Sequence, residues 1–328
     1  MADRSELISA TDPAKIGATL PAGWRPRVYR LDSGRVRIRR RHREIAPGVS
    51  IEELQLLAGS MRVIGVVDPG VLKIAFFDAP EMRVLGHHVR NSFMVVACGG
   101  ARFDSVGAAP GAALTLNFSA AAAGCIVSEA AAPRLKERLT GPLGCEALLF
   151  PQTPRAAALQ RQLRELLGAA DIDRPDNPAP QPLVAVADIF AITAELIDQI
   201  LSMDLRIPGL TVGRRRELAF ATEELLWEPP MSDGARRLSL DDASKRLKSS
   251  RRGIQLALQQ EFGLGYVALK RLIRLQQAYA ALKRAPGTGI GELARSHEFF
   301  HPSRFSKQYR EMFGVLPSTE PKDPATDG

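Results

Sequence analysis

The sequence predicts a multidomain α+β protein, with a β-rich domain in its first half and an all-α domain at its C-terminus. Short runs rich in Val, Ile and Phe, separated by Pro- and Gly-containing turns, recur between residues 59 and 127 and are typical of strands. From residue 155 onward the apolar residues recur at helical spacing instead. With 328 residues and a hydrophobic content of 45%, the chain is long enough for two or three packed domains.

Residues 1–24 carry small polar side chains with scattered Pro and Gly, and we predict a peripheral segment there. The basic stretch Arg35–Arg41 follows. As a strand it would place four arginines on one face and Val36 and Ile38 on the other; the four are Arg35, Arg37, Arg39 and Arg41. Its role stays open between a solvated edge strand, an anionic effector site, a DNA phosphate contact and an acidic partner surface.

Six runs predict the strands of a small barrel or sandwich, which we assign to residues 25–150. They are Arg62–Val67, Val71–Phe77, Val84–His88, Phe93–Cys98, Arg102–Val106 and Leu114–Phe118. Turn sequences such as Asp68-Pro69-Gly70 separate them, which favours short antiparallel strands.

We predict no catalytic residue, no metal site and no cofactor, and the identity of any ligand-binding residue stays unknown. His87 and His88 are adjacent, so in a strand they point to opposite faces; a metal site using them and Glu81 is the alternative to ordinary strand histidines. No GxSxG, P-loop or dinucleotide motif occurs. The glycine-rich run at residues 287–291 follows no strand, so we predict a linker.

The cysteines and the hydropathy pattern favour a cytoplasmic protein. Cys98, Cys125 and Cys145 are odd in number and lack zinc-binding spacing, which predicts reduced thiols. The N-terminus lacks the basic and apolar regions of a signal peptide. No apolar run is long enough for a transmembrane helix, so we expect no membrane partner.

Helical periodicity predicts helices at Arg155–Leu167 and Leu183–Leu205, with a Pro- and Asp-rich linker between them. These helices either pack on the β-rich domain or pair two subunits, and both readings stay open. A further helix at Arg214–Leu226 ends at Glu228-Pro229-Pro230, which we interpret as a hinge. We therefore assign residues 151–230 to a helical segment and residues 231–321 to the C-terminal domain, followed by a tail at 322–328.

The C-terminal domain is predicted to begin with a helix-turn-helix unit. Ser239 and Asp242 form a capping-box pattern at the start of its first helix. Lys248-Ser249-Ser250 then breaks the periodicity, and Ser250 can cap a second helix. Arg and Gln side chains bond in pairs to guanine and adenine edges. The outward face of this second helix supplies four candidate DNA-binding residues: Arg251, Arg252, Gln255 and Gln259.

The same arrangement returns about fifty residues later. Glu298-Phe299-Phe300 turns the chain, Pro302 suits the first turn of a helix, and Gly314 suits its end. The candidate DNA-binding residues of this second unit are His301, Ser303, Arg304 and Lys307. Tyr266–Lys283 joins the units and is free of Pro and Gly, which predicts a helix of about 30 Å. That length is close to the ~34 Å between successive turns of the major groove.

The charge distribution supports an interface with nucleic acid. From Met231 onward the chain has 17 Lys and Arg against 10 Asp and Glu, a balance of +7 out of a total of +8. Phosphate neutralisation requires cations on the segment that touches DNA. A generally basic surface is the alternative reading.

Residues 239–321 contain a series of spaced positions in one order: Leu247, Ser250, Ile254, Gln255, Gly263, Arg274-Leu275, Ala278, Leu282, Ile290, Leu293-Ala294, Phe299, Phe305-Ser306, Tyr309, Phe313-Gly314 and Pro317-Ser318. On these positions the segment resembles the AraC/XylS transcriptional regulators, and its finer pattern is most similar to the branch that contains ethanolamine-operon regulators. Four residues depart from it, and one of them is Leu258, which replaces the usual phenylalanine. Glu298 stands where the family usually has glycine, so a positive φ would strain it by roughly 1 kcal/mol. Gly253 lies inside a helix, and Leu256 stands where many members carry arginine.

The resemblance implies a cupin-like or jelly-roll sensor domain ahead of the DNA-binding domain. It also implies a sequence-specific transcription regulator, an activator, that responds to a small-molecule effector. The expected partners are double-stranded promoter or operator DNA, the effector, RNA polymerase and a second copy of the chain. Two other classes stay open: a sequence-indifferent architectural DNA-binding protein, and a cupin-like enzyme or ligand-binding domain with a regulatory tail.

Overall fold

The chain divides into two compact units, an N-terminal unit of residues Met1–Ile207 and a C-terminal unit of residues Pro208–Gly328. The computed structural model describes residues 4–10, 16, 24–30, 36–80, 82–84, 87–89, 93–127, 134, 140–141, 144–145, 147–168, 186–202, 214–228, 238–285 and 287–319.

The N-terminal unit is built on antiparallel strands. Their bounds are β1 Arg4–Ala10, β2 Trp24–Arg30, β3 Val36–Ala46, β4 Val49–Ala58, β5 Ser60–Val67, β6 Leu72–Asp78, β7 Met82–Val84, β8 His87–Val89, β9 Phe93–Cys98, β10 Arg102–Ala108, β11 Gly111–Phe118, β12 Thr140–Gly141, β13 Gly144–Cys145 and β14 Leu148–Pro151. One sheet has the order β1-β3-β4-β11-β6-β9-β14 and another has the order β2-β5-β10-β7-β8, while β12 and β13 pair separately. The predicted β-rich domain is therefore confirmed.

Strand alternation gives the seven-stranded sheet two different faces. On β6, Leu72, Ile74 and Phe76 are buried in the main core, whereas Ala75 and Phe77 line a cavity on the opposite face. β11 alternates in register with β6, because its residues pair directly with those of β6. One face is thus filled by helices and the other looks toward the second sheet.

Three helices cover the first face: α1 (Ala120–Ile126), α2 (Pro154–Gly168) and α3 (Val186–Ser202). Leu159 and Leu163 of α2 and Ile197 of α3 join the sheet residues in one buried cluster. Both predicted helices therefore pack on the β-rich domain of their own chain. Phe190 of α3 meets Phe118 edge-on, with ring centroids 6.0 Å apart.

Within the segment 1–24, which we predicted to be peripheral, Arg4–Ala10 forms β1 at one end of the seven-stranded sheet and pairs along β3. β3 is therefore not an edge strand. β4 was not predicted, since its charged residues Glu52 and Glu53 interrupt the apolar pattern. These two buried glutamates ion-pair with Arg40 and Arg41 of the basic stretch, while Arg35 lies outside the described residues.

The C-terminal unit is all-helical. Its helices are α4 Arg214–Trp227, α5 Leu240–Arg246, α6 Arg251–Phe262, α7 Tyr266–Arg284, α8 Ile290–Ser296 and α9 Pro302–Phe313, with a 3₁₀ turn at Pro317–Thr319. The aromatic residues of α7 and α9 form its second core, where the rings of Tyr279 and Phe313 lie 4.5 Å apart. Two helix pairs joined by the long helix α7 match the prediction.

The domain boundary differs from the predicted one. We expected α4 to precede a hinge at residues 228–230, but α4 belongs to the C-terminal unit and packs on α6. Phe220 of α4 meets Phe262 of α6 edge-on at 5.9 Å. None of the helices in the described part of the chain is long and apolar enough to cross a membrane.

Candidate nucleic-acid interface and effector cavity

The first helix-turn-helix unit consists of α5, a short turn and α6. The hydroxyl of Ser239 accepts a hydrogen bond from the Asp242 N–H at 3.1 Å, and the Asp242 carboxylate accepts one from the Ser239 N–H at 3.0 Å. This confirms the predicted capping box. Ser250 caps α6, since its hydroxyl accepts a hydrogen bond from the Gly253 N–H at 3.0 Å. A Cβ on Gly253 would lie 3.2 Å from that hydroxyl oxygen, which gives the glycine a packing role.

The outer face of α6 exposes one cation, one aliphatic side chain and one amide. Arg252 and Gln259 are exposed, and Leu256 between them is 42% exposed. Arg252 makes no ion pair with any described residue, so its guanidinium can bond a base edge or a phosphate. Arg251 is also exposed but forms an ion pair with Asp241. Leu256 can contact a thymine methyl group, a role that the sequence analysis did not assign.

Gln255 has a structural contact that was not foreseen. Its amide oxygen accepts a hydrogen bond from the Tyr266 N–H at 3.2 Å. The N-cap residue of α7, Gly265, has no side chain to perform this function, and a Cβ there would lie 3.1 Å from the same amide oxygen. Gln255 therefore caps the long helix, while its predicted contact with DNA stays a prediction.

The second unit consists of α8, a turn and α9. Pro302 occupies the first turn of α9, and Gly314 ends the helix with a φ of 81°, both as predicted. His301 is the N-cap residue and is exposed. The other predicted contact residues are exposed on α9: Ser303, Arg304 and Lys307. Arg304 and Lys307 form no ion pair with any described residue, so both charges face solvent.

Each helix-turn-helix turn contains a non-glycine residue with a positive φ, Lys248 at 48° and Glu298 at 66°. Lys248 is exposed. The carboxylate of Glu298 instead lies 2.6 Å from the Lys270 ammonium and 3.1 Å from the Arg274 guanidinium, both on α7. The strain predicted for Glu298 is present, and two ion pairs offset it.

A stripe of polar side chains along α7 forms hydrogen bonds with backbone groups elsewhere in the C-terminal unit. The Tyr266 hydroxyl and the Lys270 ammonium donate to the Leu238 carbonyl at 2.9 and 3.0 Å. The Gln277 amide donates to the Trp227 carbonyl at 3.1 Å. Residues 266, 270, 274 and 277 recur at helical spacing on an otherwise apolar helix, and this periodicity is the sequence signal that could have revealed the stripe.

A cavity of about 120 Å³ lies between the two sheets of the N-terminal unit. Its lining is mostly apolar, with Phe77 and Phe103 stacked at 5.8 Å. Lys73 is the charged residue among the described residues that line it. A largely apolar pocket with a few polar groups is typical of a small-molecule site.

Polar residues surround Lys73 at one end of the cavity. The Lys73 ammonium donates to the Asn117 side-chain oxygen at 2.6 Å, and the Asn117 amide donates to the Ser50 hydroxyl at 3.4 Å. Glu52 on the neighbouring strand pairs with Arg40 and has its other carboxylate oxygen buried without a hydrogen-bond partner among the described residues. Burial lowers the pKa of Lys73 to about 8, although Glu52 and Asp68 act in the opposite direction.

Comparison with known proteins identifies the C-terminal domain. Residues 243–321 match a family model described as a helix-turn-helix domain. The probable thc operon regulatory protein of Rhodococcus erythropolis is 31% identical over 85 residues, which are 25% of this chain and 26% of the relative. The chain thus aligns with about a quarter of the length of this curated relative.

Two solved structures are also similar to the chain. A probable AraC family transcriptional regulator from Rhodopseudomonas palustris is 28% identical over 31% of this chain and 92% of its own, with a TM-score of 0.28. ToxT from Vibrio cholerae, with an unsaturated fatty acid bound, is 14% identical over 86% of this chain and 99% of its own, with a TM-score of 0.31.

Proposed function

We propose that the protein is a sequence-specific DNA-binding transcription regulator, given that residues 243–321 form a helix-turn-helix domain of the AraC type. The observation that carries the proposal is the pair of exposed cationic faces on α6 and α9. Arg252 on one helix and Arg304 and Lys307 on the other have no ion-pair partner among the described residues. DNA supplies the phosphates and base edges that such faces bind.

The helix α7 suits this function because it joins the two helix-turn-helix units rigidly. It has 19 residues, about 28 Å of helix. The spacing is close to the ~34 Å between successive turns of the major groove, so both units can reach one face of a duplex. The ion pairs between α7 and Glu298 hold the second unit to this connector.

The experiment that tests the proposal selects bound duplexes from a random pool with the full-length protein at defined salt. A sequence-specific regulator enriches one motif, with two conserved blocks about one helical turn apart. Tight, salt-sensitive binding without an enriched motif would instead indicate the architectural class. Turnover by the N-terminal unit in a broad substrate screen would indicate the enzyme class.

Arg252→Ala is the most informative single substitution on this interface. If Arg252 bonds a base edge, the variant loses about 1–3 kcal/mol of binding to the selected motif and accepts other bases at one position. If it contacts a phosphate, all sequences are weakened alike and the salt dependence becomes shallower. Arg161→Ala, which removes an exposed arginine from α2, is the matched control and leaves binding unchanged. Binding of Arg252→Ala that equals wild type on every duplex would remove Arg252 from the interface.

The N-terminal unit supplies the proposed response to a small-molecule effector, through the cavity between its two sheets. A cytoplasmic location, a role as an activator, contact with RNA polymerase and a homodimer belong to the same proposal. A promoter-reporter assay in cells tests activation, and sedimentation of the full-length chain with and without DNA tests the dimer.

A further inference from the structure

The face of α6 that is free to meet DNA is narrow, because side chains on both of its flanks already have partners within the C-terminal unit. On one flank Arg251 pairs with Asp241, and the amide oxygen of Gln255 caps α7. On the other flank the side-chain oxygen of Gln260 accepts a hydrogen bond from Arg215 of α4 at 3.4 Å. The surface of α6 that is left to read bases is the strip between these flanks.

Three exposed residues form this strip: Arg252, Leu256 and Gln259. At 3.6 residues per turn they lie within an arc of about 60° around the helix. Leu256 is 42% exposed and lies between the other two along the helix, with the cation one turn before it and the amide about one turn after it. Its side chain forms no hydrogen bonds, so it recognises a base edge through apolar contact alone.

The chemistry of the major groove offers Leu256 one matching base. Thymine presents its C5 methyl group there, whereas the other three bases present hydrogen-bond donors and acceptors and no methyl group. A leucine against a donor or acceptor would displace water from that group without replacing the hydrogen bond, which is unfavourable. Contact with the methyl group instead removes apolar surface of both partners from water.

We propose that Leu256 selects thymine at one position of the bound motif by contact with its methyl group. The inference rests on the proposed sequence-specific binding to DNA and adds the base that this residue reads. Because 5-methylcytosine carries a methyl group at the same ring position, we expect it to be bound in preference to cytosine there. Leu256 lies about 6 Å along α6 from Arg252 and base pairs are ~3.4 Å apart, so the thymine lies within about two base pairs of the Arg252 contact.

The test starts from the motif that the full-length protein selects. Each thymine is replaced in turn by uracil, which lacks only the methyl group, and fluorescence anisotropy measures binding at fixed salt. We expect one replacement to weaken binding about fourfold, the effect of leaving one carbon group unburied. At the same position a 5-methylcytosine duplex should bind more tightly than the cytosine duplex by a similar factor.

Two variants assign the effect to Leu256. Leu256→Ala withdraws the side chain from the groove, so this variant should bind the thymine and uracil duplexes alike. Leu256→Met retains an apolar side chain of similar length and should retain the preference. The control Val267→Ala shortens a 74%-exposed apolar residue of α7 and should also retain it. Circular dichroism checks that each variant is folded.

The outcomes separate this inference from the proposed function. An enriched motif that contains no thymine, or in which uracil replaces every thymine without loss, overturns the inference and leaves sequence-specific binding intact. Equal binding of the cytosine and 5-methylcytosine duplexes overturns it as well, and so does a thymine preference that persists in Leu256→Ala. Failure to enrich any motif would contradict the proposed function, and the inference with it.

Discussion

Glu298 and Lys248 occupy equivalent turns with the same strained backbone, yet their side chains have different surroundings. Both have a positive φ, which glycine adopts without strain. Lys248 is exposed to solvent, whereas Glu298 contacts Lys270 and the nearly buried Arg274. Comparing the stabilities of variants at these two positions therefore separates the cost of backbone strain from the contribution of the side-chain contacts.

Glu298→Gly should destabilise the protein by about 3 kcal/mol. Relief of strain is offset by the added freedom of the unfolded chain, and leaving the 4%-exposed Arg274 without its carboxylate costs about 3 kcal/mol. The matched variant Lys248→Gly should change stability by less than about 0.5 kcal/mol, because relief of strain and the added freedom of the unfolded chain offset each other. Chemical denaturation measures both. A Glu298→Gly variant more stable than wild type would show that the ion pairs contribute little.

His297 should make the C-terminal unit less stable in mild acid. Burial lowers the pKa of His297, and Arg274 and Arg284 add to the effect, while its hydrogen bond to the Leu293 carbonyl opposes it. The unfolded chain then takes up a proton before the folded one, so stability falls as pH drops through about 6.5 and levels off below the folded pKa. His297→Gln should flatten this part of the profile of melting temperature against pH.

The exposed His301 provides the control for this measurement. His301→Gln removes an exposed ring and leaves His297 with all its neighbours, so this variant should keep the wild-type slope. Identical slopes for both variants would mean that other groups cause the pH dependence.

At the scale of the element, the long helix α7 is positioned by contacts at its start and along its polar stripe. Gly265 gives its N-terminus no side-chain cap, and the amide of Gln255 on α6 takes over this function. Tyr266, Lys270 and Gln277 then bind backbone carbonyls of residues that precede α5. α7 thus joins the two helix-turn-helix units and also fixes the position of the residues that precede α5.

Gln255→Ala should cost about 1 kcal/mol of stability, the usual loss when a helix cap is removed. Gln259→Ala, on the exposed face of the same helix, should cost less than about 0.5 kcal/mol. Thermal unfolding compares the two. Motif selection with the same variants then tests the DNA contact: if Gln255 also reads a base, its variant relaxes the motif at one position. Equal stabilities of the two variants would argue against the cap.

At the scale of the whole molecule, the boundary between the units decides which fragment folds. The C-terminal unit begins at Pro208 and includes α4. Phe220 packs against Phe262, and the carbonyl groups of Trp227 and Glu228 accept hydrogen bonds from Gln277 and Arg274. A fragment that lacks α4 loses this packing and these acceptors.

Fragment 208–328 should therefore unfold cooperatively and at a temperature several degrees above that of fragment 231–328. The shorter fragment exposes the α6 surface that α4 covers, and apolar burial is worth about 25 cal/mol per Å². Calorimetry of both fragments measures the difference, and proteolysis of the full chain shows where it is cut. Equal stability of the fragments would place the boundary at Met231 after all.

The sequence alone determined the features whose causes are local. Capping at Ser239 and Ser250, the Pro302 start and Gly314 end of α9, and the apolar periodicity of α7 all depend on residues within about four positions. Strands β5, β6, β9, β10 and β11 were recognisable for the same reason. β1 and β4 were missed, since polar side chains obscure strands whose pairing is set by distant partners.

Tertiary structure decided the remaining features, because they depend on residues that are distant in the sequence. Only the fold brings Glu298 to Lys270 and Arg274, gives Gln255 the start of α7 to cap, and attaches α4 to α6. Inside the β-rich unit, strand pairing turns Lys73 and Asn117 into neighbours in a cavity. Local rules predict which element a segment forms, but the energy of a buried charge depends on the groups that the folded chain places around it.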